Sequence, residues 1–275
     1  MLSLNQLLNQ YKQEKKAIPA FNIDCFEIYQ AVEQAVIETK LPSIVQLSPN
    51  QDKFIQAERL FLLVKKANIE GLPIYLNMDH GKDLARLEKL AKLGFDMIHF
   101  DGSIFDYDKN LDLAKNLIDK IKSLSLSTVV EVEFNRIKAI DNSISPNIFT
   151  KPDQAKEFIL KSGAKLLAIS IGNLHGVNIN QPEQLDIPLL SKIANNFPKD
   201  SFFTLHGGSG IPQDQTRQAI KLGVVKININ TDLRLKFKQS LSNSINTNSE
   251  KIYQYMTPVI DDLKEIVKEK LTSYV

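Results

Sequence analysis

The chain carries four histidines, and three of them stand in short motifs among small or acidic neighbours. These are Asp79-His80-Gly81, Asn173-Leu174-His175-Gly176 and His206-Gly207-Gly208-Ser209-Gly210. Each motif follows a short apolar run, so each imidazole belongs where a strand ends and a loop begins. One such histidine alone reads as a surface or capping residue. Three at equivalent positions on one rim read as a metal site with an open position, because three protein ligands plus substrate is the catalytic arrangement of zinc. Asp101 and Glu133 end two further runs. They add oxygen donors for a second metal position or for orienting the imidazoles.

The glycines after His206 lead towards a helix that opens at Pro212, so their backbone amides can gather round an anion. A glycine-rich turn is often only a tight turn, but the seventh and eighth strands of a barrel are where phosphate is usually held. Gly207, Gly208 and Ser209 would form one wall of such a cradle, and Asn228, Asn230 and Thr231 the other. Ser48 adds a hydroxyl at the end of the second run, or serves only as a helix-entry residue.

These residues need a scaffold, and the hydrophobic pattern supplies one. Eight short apolar runs, at 17–21, 43–47, 73–78, 96–100, 128–134, 165–170, 201–205 and 224–229, alternate with segments of helical period. That is the pattern of repeated βα units and a parallel sheet. Expected cap or first-turn residues of the helices are Asp24, Asp83, Asp108, Pro152, Pro182, Pro212 and Thr231. Two helices lie outside the repeat, one before the first strand and one over about 249–271, as plugs or interface elements. The prediction is an α/β fold: a single (β/α)8 TIM barrel over residues 1–275 with extra N- and C-terminal helices. An open doubly wound sheet is the rival, but no Gly-x-Gly-x-x-Gly follows the first run. The polar stretch 240–250 is expected to be a mobile loop.

Composition excludes several classes of function. With 34 basic against 32 acidic residues there is no field to attract nucleic acid or an anionic membrane, so an anionic ligand must be met locally. A single cysteine, Cys25, excludes an internal disulfide. No apolar run approaches the roughly 20 residues of a membrane span, and the N-terminus reads as an amphipathic helix without a cleavage site. The expectation is a cytoplasmic protein with no membrane or nucleic-acid partner.

Together the segments Pro19-Ala-Phe-Asn22, Asn77-Met-Asp-His-Gly81, Phe100-Asp-Gly-Ser103, Glu131-Val-Glu133, Gly172-Asn-Leu-His-Gly176, His206-Gly-Gly-Ser-Gly-Ile-Pro212 and Asn228-Ile-Asn-Thr231 resemble the class II, metal-dependent fructose-bisphosphate and tagatose-bisphosphate aldolases. The resemblance covers nearly the whole chain. It implies a zinc ion on His80, His175 and His206, an alternate divalent position at Asp101 and Glu133, and room for a monovalent cation. It implies that Asp79 is the acid/base at the bond being cleaved. Gly176, Gly207 to Ser209 and Asn228 to Thr231 would hold dihydroxyacetone phosphate. The activity implied is reversible cleavage of a ketose 1,6-bisphosphate to dihydroxyacetone phosphate and glyceraldehyde 3-phosphate, in carbohydrate metabolism such as glycolysis, by a homodimer or homotetramer. No Schiff base is needed, and the sixth run carries a lysine only at its start, Lys165.

The chain departs from the family pattern at four places. Asn77 stands where the family has a histidine. The loop after Glu133 lacks its glycines, and Asp141 takes the place of the glutamate that moves the enediolate proton. The lysine common after His-Gly is absent from Val177-Asn-Ile-Asn180, and no arginine appears near Tyr253 for a second phosphate. Two alternatives therefore stand beside the aldolase. One is a catalytically impaired metal- and phosphate-binding barrel that acts as a sugar-phosphate sensor or assembly partner. The other is an aldolase for a different phosphorylated keto sugar. Strand alternation puts Asn77, Asp79, His99, Asp101, Glu131 and Glu133 inside the barrel, and predicts that His99 hydrogen-bonds Glu131 and binds no metal.

Overall fold

The computed structural model describes residues 1–137, 149–176, 183–245 and 249–275. Eight parallel strands close into a barrel in sequence order. They are β1 (Ile18–Asn22), β2 (Ser43–Leu47), β3 (Ile74–Gly81), β4 (Met97–Asp101), β5 (Val129–Glu133), β6 (Leu166–Ile169), β7 (Phe202–Leu205) and β8 (Val224–Ile229), with β8 pairing back to β1. Each falls on one of the eight apolar runs. The fold is the TIM barrel, with α1 (Leu4–Glu14) ahead of it and α11 (Ile252–Ser273) after it.

The crossovers are α2 (Phe26–Thr39), the pair α3 (Pro49–Ile55) and α4 (Ala57–Ile69), α5 (Leu84–Leu93), α6 (Tyr107–Ser123), α7 (Pro152–Ser162), α8 (Ile187–Asn196), α9 (Gln213–Lys221) and α10 (Thr231–Ser244). Asp83 caps α5 by accepting the Ala85 and Arg86 amides, and Pro152 opens α7 as expected. One opening moves by a residue. Cys25, not Asp24, precedes α2; Asp108 lies in the first turn of α6, which Asp106 caps by accepting the Lys109 amide. Pro182 lies outside the described residues, and α8 is capped instead by Asp186. The stretch expected as a mobile loop begins as helix, since α10 runs to Ser244; residues 246–248 lie outside the described ones.

The sequence left open whether the extra helices are plugs, and α1 is one. Leu4, Leu7, Leu8 and Tyr11 pack onto Ile18, Ile44, Tyr75, Met97, Val129, Leu166 and Phe202 at the N-terminal end of the barrel. Ser3 starts this helix with a capping box to Gln6, which satisfies amides the helix cannot bond itself. With that end closed by hydrocarbon, the polar interior is confined to the other. α11 packs on α2 and α10 and buries Val259, Leu263, Val267 and Leu271. Among the described residues no helix is long and apolar enough to cross a membrane.

Above the apolar layer the barrel interior turns polar. Gln46, Asn77, His99, Glu131, Thr204 and Lys226 are all completely buried. Glu131 is bonded through Oε2 to Lys226 Nζ and through Oε1 to His206 Nε2, each at 2.9 Å. The expected His99–Glu131 hydrogen bond is therefore not formed; the closest approach is 4.0 Å. The reason is a register shift between β7 and β8, where Phe203 pairs with Val224 but Thr204 with Lys226. The extra β8 residue places a lysine inside the barrel, and an ammonium is a better partner for a buried carboxylate than a neutral imidazole. Removing one partner of a buried pair costs about 3–5 kcal/mol, because the other charge is left unmet. Lys226→Met should therefore lower the unfolding free energy by that order in urea titrations. Adding Glu131→Gln should restore part of the loss, and a double variant weaker than the single one would refute the pairing.

Candidate active site

The C-terminal mouth of the barrel opens into a cavity of about 770 Å³. Its lining includes Ser48, Asp79, His80, Asp101, Glu133, His175, Gly176, Gly207, Ser209, Asn228, Asn230 and Thr231. Strand ends thus bring together nearly all the residues singled out from the sequence. Gly208 stands behind the wall: its N–H donates to the Asn228 carbonyl at 2.9 Å, and a Cβ there would meet Ile227 Cγ2 at 2.4 Å. Asp141 lies outside the described residues.

At the centre His80 and His206 approach to 3.0 Å between Nε2 and Nδ1. The His175 ring lies 4.9 Å from His80 and 5.8 Å from His206, centre to centre. His80 also faces two carboxylates, Asp101 at 3.4 Å and Glu133 at 3.6 Å from its Nδ1. Two compact donor groups result, Asp79 with His80, His99 and His206, and His80 with Asp101 and Glu133. His175 lies beside both. Among the described residues His175 Nε2, His99 Nε2 and Glu133 Oε2 are buried without a hydrogen-bond partner, and a cation bound in the mouth would satisfy such atoms. The donor set of imidazole nitrogens and carboxylate oxygens fits a divalent transition metal.

The surroundings tune these groups. Burial takes His206 down to about 3 and His175 to about 4, so both imidazoles are neutral, the form that binds metal. Burial would lower His80 as well, but Asp79, Asp101 and Glu133 reverse this and hold it at about 9. For Asp79 the charge of His80, the contact with His99 and the charge of Lys226 overcome the upward push of burial, leaving its carboxyl well below the usual range. Burial raises Glu133 to about 7, aided by Asp101 and opposed by His80.

Gln46, which the sequence did not single out, joins two residues that it did, Asn22 and Asn228, around Asp79. The Asp79 carboxylate accepts from Asn22 (3.3 Å), Gln46 (3.3 Å) and Asn228 (3.1 Å). Asn77, the position where a family histidine is missing, donates to Gln46 Oε1 at 2.9 Å and so joins this carboxamide chain. Lys82, Arg136 and Arg234 also border the cavity; Arg234 is held by both oxygens of Asp24, at 2.7 and 2.9 Å. The basic residues Lys82, Arg136 and Arg234 and the strand glutamine Gln46 carry no motif, so only their placement marks them.

The glycine loop is built by close approach. Gly207 has φ +71°, and a Cβ on it would fall 1.8 Å from the Leu174 carbonyl oxygen, so the loops after β6 and β7 touch backbone to backbone. Asn173 reinforces the contact by donating to the His206 carbonyl at 3.1 Å. Ser209 Oγ accepts the Asn230 and Asp232 amides at 3.3 and 3.2 Å, which ties the loop to the start of α10. Ser48 is a helix-entry residue in fact, capping α3, and borders the cavity as well. Glu183 accepts the Leu174 amide at 2.9 Å and abuts Gly210.

A barrel with imidazoles and carboxylates at its open mouth beside a glycine-rich loop defines the class of α/β-barrel enzymes with a metal-type donor site. The chain belongs to the class II fructose-bisphosphate aldolases: the profile of that family, "Fructose-bisphosphate aldolase class-II", matches residues 2–274. Among solved structures the chain is similar to the YdjI aldolase of Escherichia coli K12. The TM-score is 0.86 and the identity 26%, over 98% of this chain and 96% of that one. It is also similar in fold to the fructose-bisphosphate aldolase of Campylobacter jejuni, with a TM-score of 0.80 and 22% identity over 98% and 93% of the two chains.

Glu183 gives a pH-dependent expectation. Burial raises its carboxyl from 4.5 to about 7, opposed by the Leu174 amide. The folded state therefore holds its proton more tightly than the unfolded state, and the associated stability is present below the unfolded pKa and lost as pH rises to about 7. Urea unfolding between about pH 4.5 and pH 7 should show wild type losing more stability than Glu183→Gln. Parallel pH profiles for the two proteins would refute this.

Proposed function

We propose that the chain, as one barrel domain over residues 1–275, is a zinc-dependent aldolase. It would cleave a phosphorylated ketose of the 1,6-bisphosphate type to dihydroxyacetone phosphate and glyceraldehyde 3-phosphate, and run the reverse condensation. The observation that carries this reading is the grouping of His80, His206 and His175 with Asp79 between the β3 bulge and the glycine loop of β7. His80, His175 and His206 would hold the metal, with Asp101 and Glu133 at an alternate position beside His80. Bound there, the metal supplies Lewis-acid polarisation of the substrate ketone.

The other steps fall to the chain's own side chains. The amides of Gly207 and Ser209, with Gly176, Asn228, Asn230 and Thr231, bind the phosphate end and orient the ketone towards the histidines. Asp79, kept ionised by the charges around it, accepts the proton of the C4 hydroxyl as the C3–C4 bond breaks and the aldehyde forms. The electron pair stays on the dihydroxyacetone phosphate half, and C3 then takes up a proton, for which Asp141 is the assigned donor. In condensation each proton moves the other way.

Purified protein should contain about one zinc per chain, and His206→Ala far less. A coupled assay with fructose and tagatose 1,6-bisphosphates should detect triose phosphate release that stops on chelation and returns with zinc. Asp79→Asn should lower kcat about 10²–10⁴-fold with metal content unchanged. Because His80 must give up its proton to become a ligand, zinc affinity should climb as pH rises towards about 9. Full activity after exhaustive chelation, or equal zinc in the His206 variant, would overturn the proposal.

A further inference from the structure

The fourth histidine, His99, is fully buried within the donor cluster, yet neither the family pattern nor the proposed chemistry uses it. Its place follows from a break in the sheet. Between β3 and β4, Met78 pairs with Ile98 and Gly81 with Phe100, so three residue steps on β3 face two on β4. The surplus is taken up at Asp79 and His80, and His99 is the β4 residue opposite it. A bulge of this kind disrupts the ladder, and here it puts His80 in the left-handed region at φ 51°, unusual for a residue with a side chain. The His80 amide is met by His99 Nδ1, to which it donates at 3.0 Å.

The same Nδ1 also lies 3.4 Å from Asp79 Oδ1. Nε2 lies 3.5 Å from Glu133 Oε2, and neither atom has a hydrogen-bond partner among the described residues. One imidazole thus spans from the bulged backbone of β3 to a carboxylate of β5. His80 points its own Nδ1 at that same Glu133 oxygen, 3.6 Å away.

We infer that His99 is a positioning residue: through the His80 amide and the Glu133 carboxylate it locks the β3 bulge that aims the His80 imidazole into the mouth, and it is not itself a metal ligand. Both its nitrogens face protein groups, Nδ1 the His80 amide and Nε2 the Glu133 carboxylate. The metal part of the inference rests on the proposed function; the backbone part does not.

The test pairs two variants. His99→Phe keeps a planar ring and removes both polar contacts, and His99→Gln keeps an acceptor and a donor. Two quantities are read on folded, purified protein: hydrogen-exchange protection of the His80 amide in the metal-free state, and zinc affinity by chelator competition. In His99→Phe the amide should exchange faster, and zinc affinity should fall about 10–100-fold, the usual effect of losing a group that orients a ligand. His99→Gln should recover most of both. Should the phenylalanine variant not fold, His99→Met replaces it as an adaptable apolar side chain. Unchanged amide protection in the apolar variant would overturn the inference, as would equal impairment in the glutamine variant. A cobalt-substituted wild type whose ligand-field spectrum changes coordination number on His99→Gln would do so too, by making His99 a ligand. Wild type that binds no zinc would sink the proposed function instead, and the amide measurement would still decide the role of His99.

Discussion

Glu131 is the group on which the interior of this barrel turns. A carboxylate wholly removed from water is tolerable only if its oxygens are met by strong donors. Here Lys226 holds one oxygen and His206 the other. The bond to His206 places the hydrogen on Nε2 and turns the Nδ1 lone pair towards His80 and the open mouth. A structural ion pair deep in the barrel therefore prepares an imidazole at its surface for coordination. The charge of Lys226 also reaches Asp79 and helps to keep it ionised.

Two irregularities of the sheet do the aiming. The extra residue on β8 carries Lys226 inward to Glu131, and the extra residue on β3 swings His80 out of the ladder. A perfectly regular barrel would alternate its side chains in layers and could not bring His80, on the parity opposite to Asp79, into the same cavity. Bulges next to active sites commonly re-aim a side chain, and both bulges here bear on the metal-type donor set. The backbone contact between Gly207 and Leu174 complements them by fixing the loops of β6 and β7 as one unit.

The opposite end of the barrel makes this polarity affordable. α1 seals it with leucines and a tyrosine, so the lower interior is hydrocarbon and the polar groups gather in the upper layers beneath the mouth. There the carboxamide chain of Asn77, Gln46, Asn22 and Asn228 supplies neutral donors to Asp79 without adding charge. Such a network holds a carboxylate in place while leaving its ionisation to the histidines and Lys226.

Much was legible in the amino-acid sequence itself. Eight β-branched runs, their spacing and their polar ends determined the barrel and the identity of most cavity residues, because period-two burial and strand-terminal chemistry are local properties. The twofold alternation also put His99, Glu131 and Asp79 correctly inside. What the sequence could not determine were the partners across the barrel. His99 meets His80 and Glu133 instead of Glu131, and Glu131 meets a lysine 95 positions away, a residue that reads in isolation as an ordinary strand lysine. A bulge shifts every later side chain by one register step, yet it leaves no mark in composition or periodicity. Pairings between distant strands are therefore decided only when the sheet closes and buried charges must find one another.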